Sequence, residues 1–272
     1  TTEVENYPGF PHGVQGPEMM RLFREQAARF DTRIHTEDIV DLDLSKRPFR
    51  LTSSEGTVLH AHSVILATGA KANWLGLPNE QRLAQNGGGV SACAVCDGAL
   101  PVFREQHLAV VGGGDTAMEE ASYLTKFASK VTLLVRSGTL RASKIMAQRI
   151  ESSPKAEIRF WTRVADVVGD KTISAVVLED TRSGERSRLD VKGLFVAIGH
   201  TPNTAFLKGQ IDVDDKGYVR LKDPYRTTTN VEGVFAAGDV ADNVYRQAIT
   251  AAGMGCKAAL DAERWLAAQG VH

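Results

Sequence analysis

The chain has 272 residues, 43% of them apolar, and its 32 basic and 33 acidic side chains leave a formal net charge of −1. That length and apolar content supply one large or two modest cores, and the balanced charge gives no electrostatic reason to expect nucleic acid or a membrane surface as partner. No apolar run is long enough to span a bilayer, no charged-then-apolar signal segment opens the chain, and three cysteines do not make a disulfide framework, so a cytoplasmic compartment is expected.

In chain order, the sequence opens Thr1-Thr2-Glu3-Val4-Glu5-Asn6 rather than on a methionine, which points to a processed product or a fragment. Gly16-Pro17 opens a helix, with Pro17 in the first turn, where a missing N–H is harmless, and Met19, Phe23, Ala27 and Phe30 recurring at helical spacing. Strand-like runs follow at 49–52 and 58–61. The run Ser63-Val64-Ile65-Leu66-Ala67-Thr68-Gly69 is continuously apolar, as a strand buried on both faces should be. Residues 107–111 read as strand, 116–127 as helix and 130–135 as strand, together a β-α-β unit. A helix at 143–151 and strands near Ile158, Val176 and Phe195 continue the alternation, and 247–268 reads as a long amphipathic helix carrying small residues. With no short-period repeat or low-complexity stretch, the pattern is that of an α/β protein.

Two motifs carry chemistry. The first is Cys93-Ala94-Val95-Cys96-Asp97-Gly98. Two cysteines at this spacing close a small disulfide, and if the first opens a helical turn, backbone N–H dipoles lower its thiol pKa. Asp97, beside the second cysteine, is placed to deliver or take the proton that each thiol–disulfide exchange requires. The competing reading is half of a structural zinc site. It lacks its other half: the remaining cysteine, Cys256, lies in an apolar helical pattern where a buried position is expected, and none of the seven histidines forms an H-x3-5-H partner.

The second motif is Val110-Val111-Gly112-Gly113-Gly114-Asp115-Thr116-Ala117, which follows a strand and opens a helix, the context a dinucleotide-binding turn requires. Gly112 permits the tight turn, Gly114 lets the backbone approach a pyrophosphate, and Ala117 keeps the helix close to the strand, with phosphate at the helix N-terminus beside Asp115 and Thr116. The bland alternative is a glycine turn that merely connects strand to helix. After the next strand, an NAD site would carry an acid for the ribose hydroxyls, whereas this chain reads Val135-Arg136-Ser137 with Arg141 following, which favours NADP; the alternative is a pair of solvated surface charges.

These residues resemble the low-molecular-weight, bacterial-type thioredoxin reductases. The match covers 1–9, 65–69, 89–98, 110–121, 141–145, 193–203 and 233–260, and its most specific parts are the Cys-x-x-Cys-Asp-Gly box, Gly233-Val234-Phe235-Ala236-Ala237-Gly238-Asp239 and Tyr245-Arg246-Gln247-Ala248. The resemblance implies two doubly wound Rossmann-like domains: an FAD domain discontinuous in sequence over 1–73 and 203–272, and an inserted NADPH domain over 74–202. It implies that Thr68, Gly69, Gly238, Asp239, Val240, Arg246, Gln247 and Ala248 lie at the flavin. It also implies that NADPH reduces FAD and FAD reduces the disulfide, and that a domain rotation exposes the thiols. Cys93 would then attack oxidised thioredoxin, Cys96 resolve the mixed disulfide, and Asp97 act as the acid, in a homodimer with no metal.

The sequence departs from that family in two places. The family's N-terminal glycine-rich fingerprint for the ADP half of FAD is not found in the chain, so the flavin domain is expected to be N-terminally incomplete by one β-α-β unit, leaving an unpaired sheet edge. The family's His-Arg-Arg-x-x-x-Arg at the 2′-phosphate site reads Val135-Arg136-Ser137 up to Arg141, one cation fewer. Two other functions fit the same residues: the flavoprotein reductase of a peroxiredoxin system, and a truncated NADP-binding protein without turnover.

Overall fold

The computed structural model describes residues 3–271; Thr1, Thr2 and His272, and with them the very start of the matched segment, lie outside the described residues. In chain order the principal elements are α1 (Gly16–Ala28), β1 (Ile39–Asp43), β2 (Phe49–Ser53), β3 (Val58–Ala61), β4 (Val64–Leu66), α2 (Pro78–Gln85), β5 (Val90–Ser91) and α3 (Ala94–Asp97). They continue with β6 (His107–Val111), α4 (Asp115–Leu124), β7 (Lys130–Leu134), α5 (Lys144–Glu151), β8 (Ala156–Arg159), β9 (Thr162–Gly169), β10 (Ile173–Asp180) and β11 (Arg186–Asp190). The last are β12 (Gly193–Val196), β13 (Val234–Ala236) and α6 (Ala248–Ala268). The chain divides into two compact units: one takes in Ala72–Gly199 with the N-terminal segment up to Phe23, the other Arg24–Lys71 with the chain from His200 onward.

The first unit is built on a five-stranded sheet in the order β8-β7-β6-β12-β5, every pair parallel. Parallel strands are covered on both faces and read as unbroken apolar runs, which is the character of Leu108, Ala109 and Val110 on β6 and of Leu133 and Leu134 on β7, all fully buried. One face packs on α4, where Ala117, Met118, Ala121 and Leu124 recur at 3.6-residue spacing and are wholly enclosed. The other face is covered by Leu83 of α2 and by the antiparallel sheet β9-β10-β11, through Val164, Val167, Ile173 and Val176. Chain order reverses across β6, with β7 on one side and β12 on the other, so a crevice opens beyond the carboxyl ends of these two strands, where open α/β sheets bind ligands. The start of α2 is fixed by Glu80, whose fully buried carboxylate accepts the N–H groups of Leu75 and Gly76 at 2.9 Å each.

The second unit joins the antiparallel sheet β1-β2-β3 to a parallel pair, β4 and β13, over a core of Leu42, Phe49, Leu66, Ile211 and Val234. The inner stripe of α6, Met254, Ala258, Ala262 and Trp265, packs on Phe235. Three expectations need correction here. The run 63–69 forms a strand only over Val64–Leu66, and it is not buried on both faces: Ile65 is 40% exposed while Val64 and Leu66 are buried. Among the described strands β4 pairs only with β13, and Ile65, in register with Phe235, lies on the face where α6 packs and is only partly covered there. Cys256 is exposed, because it lies on the side of α6 away from the Met254–Ala258–Ala262 stripe. Phe30 falls beyond the end of α1 and is exposed. Among the described residues no helix is long and apolar enough to cross a membrane.

Candidate redox and nucleotide sites

Cys93 and Cys96 are joined as a disulfide with their Cα atoms 5.3 Å apart, at the head of the short helix α3. Cys93 is the residue before the first turn, in extended conformation, and its Sγ accepts the N–H of Cys96 at 3.2 Å. A donor aimed at that sulfur favours negative charge on it when the bond opens, so Cys93 is the cysteine whose thiolate this backbone stabilises. Ala94 roots α3 in the core formed with Ala117, Ala121 and Leu124, which ties the disulfide to the glycine-turn helix α4.

Asp97 ends α3. Its Oδ2 accepts the Ser91 hydroxyl at 2.5 Å, and Ser91 Oγ in turn accepts the Cys93 N–H at 3.0 Å. Burial pushes the Asp97 carboxyl above the usual carboxylate range, and the Ser91 hydrogen bond opposes that only in part. An acid that keeps its proton nearer to neutral pH, one residue from Cys96, suits proton delivery to a leaving thiolate. Ser91 is a site residue that sequence reading missed, since a hydroxyl six residues before an acid belongs to no local motif.

The glycine turn is where the sequence placed it, between β6 and α4. Gly112 has φ 148°, and a Cβ there would stand 2.4 Å from the Ala197 carbonyl oxygen and 2.7 Å from Ala117 Cβ. Only glycine fits where the turn passes β12. At Gly114 a Cβ would meet nothing within 4 Å, so this face is open for an anion to approach the backbone. The steric pattern, closed behind at Gly112 and open in front at Gly114, fits a dinucleotide pyrophosphate. Arg141 and Ala142 donate their N–H groups to the Gly113 carbonyl at 2.7 and 3.1 Å, so the segment bearing both arginines folds back onto the turn. Arg136 and Arg141 are exposed, and among the described residues neither guanidinium has an ion-pair partner. Asp115 accepts the Ser143 N–H at 2.8 Å and so fixes the start of α5, while Thr116 is half-buried and Ala117 wholly buried.

In the second unit, Ala67, Gly69, Ala237, Gly238, Asp239, Gln247, Ala248, Ala251 and Gly255 line one cavity of about 230 Å³. Asp239 Oδ1 is buried there with no hydrogen-bond partner, and burial together with nearby Asp242 raises its carboxyl pKa. A buried acceptor without a donor is costly, so its presence at a cavity fits a ligand that brings donors, as the hydroxyls of a flavin nucleotide would. Thr68 is held by Asn203, whose carbonyl accepts its hydroxyl at 2.9 Å and whose amide donates to its carbonyl at 2.8 Å. Val240 is a buried core side chain and does not line the cavity. Arg246 has φ 51° and donates to the Asn243 carbonyl at 2.5 Å. The loop owes its shape to Asp242, which accepts the N–H groups of Val244, Tyr245 and Arg246 and the Thr250 hydroxyl. Asp242 was not singled out in the sequence, although an Asp followed by a helix start is the usual sign of such a turn.

The sequence matches the model of the pyridine nucleotide-disulphide oxidoreductases over residues 1–255. It is 53% identical over 268 residues to the thioredoxin reductase of Dictyostelium discoideum, covering 98% of this chain and 83% of that protein. It is 51% identical over 268 residues to that of Streptomyces coelicolor, covering 98% and 82%. Among solved structures, thioredoxin reductase from Giardia duodenalis superposes with a TM-score of 0.91 at 42% identity, covering 98% of this chain and 85% of that one. The chain belongs to the pyridine nucleotide-disulphide oxidoreductase family, among its thioredoxin reductases of the low-molecular-weight type.

Proposed function

We propose that this chain passes electrons from NADPH through FAD to the Cys93–Cys96 disulfide and on to the disulfide of oxidised thioredoxin. The observation that carries the reading is the redox pair itself: a disulfide on α3, with a buried acid beside it, rooted against the helix of a dinucleotide turn. When bound, NADPH supplies a hydride and FAD relays its two electrons. The chain's residues do the rest. The Gly112–Gly114 turn with Thr116 holds the pyrophosphate, and Arg136 and Arg141 take the 2′-phosphate. Thr68, Gly69, Gly238, Asp239, Gln247 and Ala248 hold the flavin, with the donors it brings meeting Asp239.

The disulfide accepts two electrons and two protons to become a dithiol. Cys93, stabilised as thiolate by the Cys96 N–H, attacks a sulfur of the thioredoxin disulfide. One S–S bond breaks as the mixed disulfide forms, and Asp97 protonates the departing thiolate. Cys96 then attacks Cys93, which releases the dithiol and restores the starting bond. On this reading residues 74–202 form the NADPH domain and 1–73 with 203–272 the FAD domain, in a cytoplasmic homodimer. The test is a coupled assay of the FAD-supplemented chain with NADPH and oxidised thioredoxin, comparing the parent with Cys93→Ser and Cys96→Ser. The parent should consume one NADPH per thioredoxin reduced and both variants should be inactive; thioredoxin reduction by either variant would refute the assignment.

A further inference from the structure

The segment 135–142, which carries both arginines, is irregular, and its backbone is held from outside. The Val135 carbonyl accepts the Thr162 N–H at 2.9 Å, the Arg136 carbonyl accepts the Thr181 hydroxyl at 3.1 Å, and the Ser137 carbonyl accepts the Trp161 N–H at 3.1 Å. The Trp161 carbonyl accepts the Thr181 N–H at 2.7 Å, so two of these three ties run through Trp161, directly or at one remove.

The indole continues the same contact. It lies so close to Gly138 that a Cβ there would stand 2.2 Å from Trp161 Cζ2 and 2.5 Å from Cε2. The Arg182 guanidinium sits 5.3 Å from the ring centroid, itself fixed to Asp180 at 2.9 Å. Trp161 has φ 56°, a left-handed conformation that a bulky side chain keeps only where its surroundings over-determine it. Trp161 is 39% exposed, so core burial is not what holds it there. What the conformation achieves is a brace: N–H, carbonyl and ring all bear on the three residues 136–138.

We propose that Trp161 is a positioning residue for nucleotide selectivity. It fixes the Arg136 loop and thereby sets how tightly the chain holds a 2′-phosphate. This rests on the reading above that Arg136 takes that phosphate, and it adds a residue that touches neither phosphate nor nicotinamide.

The experiment titrates the purified full chain with 2′,5′-ADP and 5′-AMP, probes that differ only in the 2′-phosphate. Trp161→Ala should weaken 2′,5′-ADP binding roughly fivefold to tenfold, the scale of one loosened charge-assisted contact, and leave 5′-AMP unchanged. Trp161→Phe should retain most of the affinity. Arg136→Ala combined with Trp161→Ala should bind no more weakly than Arg136→Ala alone, because both changes act on one contact. Gly138→Ala, which drives a methyl into the ring, should reproduce the selective loss and carries the test should Trp161→Ala fail to fold. The proposal is overturned if Trp161→Ala and Gly138→Ala bind 2′,5′-ADP normally while Arg136→Ala does not, or if both probes weaken equally. Normal 2′,5′-ADP binding by Arg136→Ala would instead overturn the phosphate assignment itself, and the proposal with it.

Discussion

The Ser91 hydroxyl and the Asp97 carboxylate, six residues apart at the two ends of the redox turn, share a 2.5 Å hydrogen bond. The bond stabilises the charged carboxylate while burial disfavours it, and burial is the larger effect. Ser91→Ala removes the opposing contribution, so Asp97 should hold its proton to still higher pH. The limb of the pH–rate profile that reports Asp97 should move upward; an unmoved limb would show that this acid does not govern the rate.

Asp97→Asn separates catalysis from stability. Turnover with thioredoxin should fall by about 10²-fold, the usual scale for losing a general acid. Stability should move the other way. A carboxyl whose folded pKa is raised contributes most when protonated, at low pH, and that contribution is lost as pH rises through the folded value. The variant should therefore melt higher than the parent at pH 7–8, with the gap closing toward acid. A variant less stable at every pH would contradict the burial argument.

Gly112→Ala places a methyl 2.4 Å from the Ala197 oxygen, where two strands of one sheet leave no slack. Overpacking of this kind costs roughly 1–3 kcal/mol. NADPH binding should be lost even where the variant stays folded, because the turn can relieve the clash only by moving off the phosphate. Calorimetric titration and a melting curve on the same sample check both halves.

Asp239→Ala should weaken FAD retention by roughly tenfold or more, the loss of a charge-assisted hydrogen bond. In the absence of FAD it should not destabilise the protein, since it removes a buried acceptor that has no donor. Flavin absorbance after gel filtration reads the first outcome and thermal melting the second.

The exposed position of Cys256 gives a thiol that should react with a maleimide in the oxidised protein without reductant, one equivalent per chain. Absence of labelling would place Cys256 in a covered environment.

Much of the first unit was legible in the sequence because local and tertiary signals agree there. The apolar run of β6, the glycine turn and the Ala117–Ala121–Leu124 stripe each specify the same β-α-β unit. Strand β9 was not read from the sequence, since a register shift between Val164 and Asp166 breaks the alternation that would have marked it. Cys256 was misjudged because small residues all round α6 hide which side is buried. At the candidate sites, the cysteines, glycines and arginines follow local patterns, and the sequence singles them out. Ser91 and Trp161 act across a turn or between strands, and nothing adjacent in sequence marks them, whereas Asp242 carries only the general turn signal of an Asp before a helix.

The most direct test of the electron route is a thiol count on the FAD-loaded chain under anaerobic conditions, before and after one equivalent of NADPH, with thioredoxin left out. Alkylation followed by peptide mass analysis should show Cys256 labelled in both samples, and Cys93 and Cys96 labelled only after NADPH, one group each. Oxidation of the NADPH with Cys93 and Cys96 still joined would contradict the account.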